Sequence, residues 1–131
     1  MIIKLQYEFG VLEIHDNYVK AIMDEGVTVS PKHNKSLVEI SESYFANRKF
    51  GYITHRINSY SVDPRVYLKT SKIPNLVAFA IVSNNPVNLS NAQVEKLFLD
   101  KPFKTFKNLD KAIKWVKEVV NSESEYNTTE K

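Results

Sequence analysis

The sequence predicts an α/β fold: one domain with a mixed β-sheet of about five to six strands and four helices, in the order βββ-αβ-αβ-αβ-α. Three observations predict it. Residues 2–23 break into short alternating segments with turn residues between them. Helical patterns with recognisable starts then alternate with apolar runs as far as residue 120. Leu76 to Val82, LVAFAIV, is apolar at every position, which fits a strand covered on both faces of a parallel sheet.

The elements follow in order. Ile2 to Glu8 and Val11 to His15 read as strands around a bend at Phe9-Gly10, and Asp16-Asn17 turns into a third strand, Tyr18 to Met23. Leu12 and Ile14 alternate with Glu13 and His15, so the second strand should show one face to water. Ser30 and Pro31 open a helix reaching about Ala46, with Leu37, Ile40, Tyr44 and Phe45 on its core side. Phe50 to His55 is a strand. Asp63 caps the next helix, Pro64 sits in its first turn, and Val62 with Tyr67 have the spacing of a hydrophobic staple. Ser90 and Gln93 form a capping box that predicts a third helix, stapled by Leu89 and Val94, with Val94, Leu97 and Phe98 facing inward. Phe103 to Phe106 is a short strand. Asn108 starts a last helix with Ala112, Ile113, Val116 and Val120 on one stripe. Residues 1–120 thus form the domain, and 121–131, without apolar periodicity, are expected to be a disordered polar tail.

Composition narrows the function classes. A chain of 131 residues with 43% hydrophobic and 25% charged residues can bury a core without staples. The absence of cysteine excludes disulfides, thiolate metal sites and a Cys nucleophile. MIIKLQYEFG turns polar too early for a secretory signal, and no apolar run reaches the roughly 18 residues of a membrane span, so a cytoplasmic location is expected. Net charge is only +3, with lysines scattered among acids. Lys111, Lys114 and Lys117 form one helical stripe, but no aromatic residues alternate with them as a stacking platform would require, so a solvated face is expected and no nucleic-acid partner.

Catalytic constellations are sparse. His15, His33 and His55 share no ligand spacing with one another, so no metal site is expected. Glycine occurs only at positions 10, 26 and 51, which excludes both the dinucleotide fingerprint and the Walker pattern, so no cofactor is expected. His55, Ser59 and Asp63 contain the residue types of a nucleophile, base and orienter, yet lie within one short segment without a nucleophile elbow. No catalytic residue is assigned. An enzyme using His55 stays open as an alternative.

The richest segment is FGYITHRINSYSVDP, residues 50–64, where an apolar strand runs into a polar loop before a helix. Such a junction lies at the carboxyl end of a strand, where ligands and partners dock in α/β proteins. His55, Arg56, Asn58, Ser59, Tyr60 and Ser61 are its candidate partner-binding residues. Arg56 suits bidentate capture of a carboxylate or phosphate, Tyr60 suits an aromatic anchor, and Ser59 and Ser61 are candidate phosphorylation sites before a helix amino terminus.

The element order, together with EIHDNYVKAIMDEG, FGYITHRINSYSVDP, NLVAFAIVS and NAQVEKLFLDKPFKTFKNLDKAIKWV, resembles the bacterial STAS-like proteins, relatives of the anti-sigma-factor antagonists also grouped as STAS/SEC14-type domains. The resemblance covers residues 1–120. It implies a non-enzymatic regulatory module that docks on an unknown protein partner. In the antagonists a phosphorylated serine in an Asp-Ser-Ser-Gly type sequence acts as the switch; Asn58-Ser59-Tyr60-Ser61 stands at the matching position, without the aspartate and the glycine. The SEC14-type comparison implies an alternative, a carrier for a lipid or other small apolar ligand, with Tyr44, Phe45, Tyr52, Tyr67 and Phe79 as candidate cavity residues.

Overall fold

The computed structural model describes residues 2–129, with side chains through residue 124. Its elements are β1 (Ile3–Tyr7), β2 (Gly10–Ile14), β3 (Tyr18–Met23), β4 (Thr28–Val29), α1 (Asn34–Ser43), β5 (Phe50–His55), β6 (Ser61–Val62), α2 (Val66–Thr70), β7 (Leu76–Val82), α3 (Pro86–Glu95), β8 (Phe103–Phe106) and α4 (Leu109–Thr129). Six strands make one mixed sheet in the order β1-β2-β3-β5-β7-β8. β1, β2 and β3 form the antiparallel meander, and β3, β5, β7 and β8 run parallel. β4 and β6 pair in a separate two-stranded ladder that the sequence does not foreshadow, because two residues are too few to show a period.

Each parallel step moves one strand further in the same direction. Right-handed crossovers therefore stack α1, α2 and α3 on one face, and α4, returning from β8, covers the other. The two cores follow this division. Leu37 and Ile40 of α1, Val66 and Tyr67 of α2 and Ala92 of α3 pack with Tyr52, Phe79 and Ile81. On the opposite face Ala112, Val116 and Val120 of α4 pack with Ile53, Ala78, Ala80 and Val82. From Ala78 to Val82 successive residues of β7 serve the two cores in turn, and Leu76 and Val77 are taken up one by each, so all seven are buried.

Packing sets two close approaches. Phe79 stacks on Tyr52 at 5.0 Å and on Phe103 at 5.6 Å, and meets Tyr67 edge-on at 5.4 Å. A Cβ on Gly51 would lie 2.2 Å from Cγ1 of Val116, so the missing side chain lets α4 sit directly on β5.

Several helix boundaries differ from the sequence pattern. Before α1, Pro31–His33 form a 3-10 turn, and Tyr44 stands exposed while Phe45 is buried. Helix α3 begins at Pro86, not Ser90: Asn85 Oδ1 accepts the Val87 N–H at 2.8 Å, and Pro86 takes the first position. An Asn-Pro start outcompetes the Ser90–Gln93 box because proline's fixed φ already suits the first helical turn. Residues 121–129, expected to lack regular structure, continue α4, while 130–131 lie outside the described residues. Once Val120 is docked, each further residue adds a hydrogen bond to an existing helix without a new nucleus.

Replacing Phe79 by Ala should lower stability by about 3–5 kcal/mol, measured by urea denaturation, as for a fully packed core aromatic. Gly51→Ala should cost about 1–3 kcal/mol by overpacking, and adding Val116→Ala should recover part of that loss.

Candidate functional site

The loop after β5 is held firmly. Arg56 N–H donates to Val82 O at 2.9 Å, extending the sheet by one bond. Asn58 Nδ2 donates to Met23 O at 2.9 Å, Ser59 N–H donates to Glu25 Oε1 at 2.9 Å, and Ser59 O accepts the Gly26 N–H at 2.7 Å. These bonds tie the loop to the turn after β3, a residue separation that no local sequence signal reports. The six expected site residues consequently divide. His55, Asn58 and Ser59, with part of Arg56, line a polar groove of about 320 Å³ together with Ser83, Asn88 and Lys107, and among the described residues no carboxylate lines it. Ser61 is exposed but opens β6, and α2 starts only at Val66, so neither Ser59 nor Ser61 stands at a helix amino terminus. Asp63 still serves locally: its Oδ1 accepts the Arg65 N–H at 3.1 Å, and its carboxylate pairs with the Arg65 guanidinium.

Arg56 and Tyr60 point elsewhere than the loop pattern implies. Arg56 is only 8% exposed and grips Glu95 of α3 with both terminal nitrogens; the Nη1–Oε2 distance is 2.8 Å. Tyr67 of α2 donates its hydroxyl to the same carboxylate. The Tyr60 ring lies 5.5 Å from the Arg56 guanidinium carbon, and its hydroxyl bonds Thr54 Oγ1 at 2.8 Å. Burial opposes the Arg56 charge, but the hydrogen bonds to Glu95 together with the charge interactions with Tyr60, Glu95 and Tyr67 outweigh it and raise the guanidinium pKa. Burial, then the Glu95 charge, push the Tyr67 hydroxyl well above its usual range. Arg56 is thus occupied by the protein's own carboxylate, with its Nε left buried and unpartnered.

This network turns α3 over. Glu95 is 5% exposed and Ala92 and Leu99 are buried, whereas Val94 is 54% exposed and Leu97 82%. Val87 and Phe98 are exposed on the same helix and the turn that follows it. The sequence pattern put Val94, Leu97 and Phe98 inside; the structure puts them outside. Helical spacing places residues 92, 95 and 99 on one face, and the small or apolar Ala92 and Leu99 flanking Glu95 are the signal that could have found it.

Behind the loop lies a cavity of about 50 Å³ between the sheet and α1 and α2, walled by Leu12, Tyr52, Tyr67 and Phe79 with polar edges at His33 and Arg56. Three of the five candidate cavity aromatics reach it; Tyr44 and Phe45 do not line it. Among the described residues no hydrogen bond joins His55, Ser59 and Asp63. Burial, then Lys20, lowers the His55 pKa.

Glu95→Ala should cost about 3–5 kcal/mol in chemical denaturation, because it strands the Arg56 charge in the interior. A second expectation concerns pH. Ser30 N–H donates to His33 Nδ1 at 2.9 Å, which requires the neutral ring, and burial followed by Lys32 lowers the His33 pKa. The native state therefore binds fewer protons than the unfolded chain, whose histidines titrate near about 6.5. Stability should be intact above that pH and fall as pH drops through the lowered native pKa. His55 shifts the same way, so His33→Gln should flatten only part of the decline in melting temperature between neutral and mildly acidic buffer.

No protein-family model matches the chain, and no curated protein matches it. Among solved structures it is similar to an uncharacterised DUF3478-family protein with a SpoIIAA-like fold from Shewanella loihica PV-4. The two are 14% identical, the match covers 88% of this chain and 92% of that one, and the TM-score is 0.52. The resemblance read from the sequence and the structural likeness agree: this chain has the SpoIIAA-like, STAS-like fold.

Proposed function

We propose that the chain is a non-enzymatic STAS-type docking module that engages a protein partner through the outward apolar stripe of α3 and the adjoining loop, residues 55–61. One observation carries this reading: α3 buries Glu95 and exposes Val94, and the turn that follows it exposes Leu97. A helix arranged only for stability would do the reverse, since a buried ion pair is at best about neutral against apolar packing. Each exposed side chain instead offers about 1.5–3 kcal/mol on burial in a complex. The polar groove supplies a rim for the same face: Ile57 lines it and is itself exposed, and Asn85 and Asn88, which flank Val87 on α3, line its far side. Lys107 and the lack of lining carboxylates favour an acidic group on the partner. Phosphorylation of Ser59 belongs to this reading, because a phosphate there would face Glu25 and loosen the bonds that pin the loop. The setting of this function is the cytoplasm.

A second reading, a carrier for a small apolar ligand, draws on the aromatic cavity. At about 50 Å³ that cavity is well below the roughly 300 Å³ at which small-molecule sites begin, so a lipid would require the wall to move.

A photo-crosslinking residue at Val94, in the native host, should give a discrete protein adduct that Leu97→Asp abolishes and that the same group at Lys114 on α4 does not give. Adducts of equal yield from both positions, or none from Val94, would count against docking through α3.

A further inference from the structure

At the opposite end of the parallel strands, where β5 and β7 begin, the ends of α1 and α2 frame a groove of about 750 Å³. Among the described residues, Arg48, Lys49, Lys69 and Lys72 line it against a single acid, Glu42, and its apolar lining is Val38, Ala46, Ile73 and Pro74. Lys101 adds a fifth cation: its Nζ donates to Ile73 O at 2.8 Å, burial lowers its pKa, and the Asp100 carboxylate and Lys49 act on it in opposite directions. Part of this charge serves the fold. Arg48 donates to Asp16 O at 2.7 Å and Tyr44 O at 2.9 Å, and Lys101 satisfies a carbonyl beyond α2, as cations do at helix carboxyl ends.

Lys49, Lys69 and Lys72 are not accounted for in that way. Among the described residues their side chains take part in no ion pair and no hydrogen bond, whereas Lys20, Arg56 and Arg65 each have a carboxylate. In a chain of net charge +3, unpaired cations gathered on one concavity repel one another and cost stability, and a negative ligand relieves that repulsion.

We propose that this groove docks an acidic segment of a partner protein, its carboxylates meeting Lys49, Lys69 and Lys72 and one apolar side chain resting on Ala46 and Pro74. The shape and the lining select among anionic partners. The site is concave, which a bilayer surface cannot follow, and among the described residues no aromatic side chain lines it to stack a nucleobase. The surface is separate from α3, so it adds a second contact and does not depend on the first.

The test is fluorescence anisotropy with a labelled nonapeptide of glutamates carrying a central leucine, at low salt, with amide shifts mapping the contact. Binding should perturb residues 42–49 and 69–75, weaken as salt screens the rim, and fall by about tenfold in Lys69→Ala/Lys72→Ala. The surface position of both lysines leaves the fold intact, which an unchanged melting temperature would verify. Lys111→Ala/Lys114→Ala on α4 should bind as the parent does. Equal losses in the two double variants, or no loss in the first, would overturn the proposal. So would tighter binding to phosphatidylserine vesicles or to oligothymidylate than to the peptide.

Discussion

The ion pair between Arg56 and Glu95 decides how this molecule presents itself. It joins the end of a central strand to the last residue of α3, and the Tyr67 hydroxyl ties α2 to the same carboxylate. With three elements committed to one buried carboxylate, α3 has no freedom to roll its apolar stripe inward. Desolvating both charges is costly, and their mutual attraction roughly cancels that cost. The pair fixes an orientation more than it adds stability, and the orientation leaves Val87, Val94, Leu97 and Phe98 in solvent.

Topology explains why the candidate surface is a helix face and a loop. In open α/β sheets the deep crevice forms where strand order reverses. Here β3, β5, β7 and β8 succeed one another in one direction, so the parallel part of the sheet has no reversal. Loops at the strand ends must build any site themselves. At the carboxyl end the loop after β5 is braced against the turn after β3, giving a shallow polar groove. At the amino end the converging ends of α1 and α2 leave a larger, basic one. The two faces differ in chemistry because different helix termini frame them.

Strong local signals read through to the fold. LVAFAIV is the fully buried strand, Leu12 and Ile14 face the core while Glu13 is part-exposed, and Asn108 Oδ1 caps α4 by accepting the Lys111 N–H at 3.1 Å. Helix phase was less legible. Ser90–Gln93 and Asn85–Pro86 are both valid starts, and Val94, Leu97 and Phe98 make a more apolar face than Ala92, Glu95 and Leu99, so the pattern chose the side that the structure leaves outside. The loop was identifiable as a junction, but its internal roles were not. That Arg56 turns inward depends on Glu95, 39 residues away, while Tyr60 is tied down by Thr54 of β5, six residues before it, at a spacing set by the intervening loop and by no strand or helix period. Long-range polar partners leave no trace in periodicity, so the residues most suggestive of a partner contact proved to be engaged internally.

Because the chain has no cysteine, single thiols can report the orientation of α3 directly. The decisive measurement compares labelling rates of Val94→Cys and Ala92→Cys with a thiol reagent under native conditions. Outward Val94 and fully buried Ala92 predict labelling of Cys at 94 at close to the rate of an unfolded control, and strong protection at 92. Protection at 94 with ready labelling at 92 would mean that α3 faces the other way, and the Arg56–Glu95 account of this surface would be wrong.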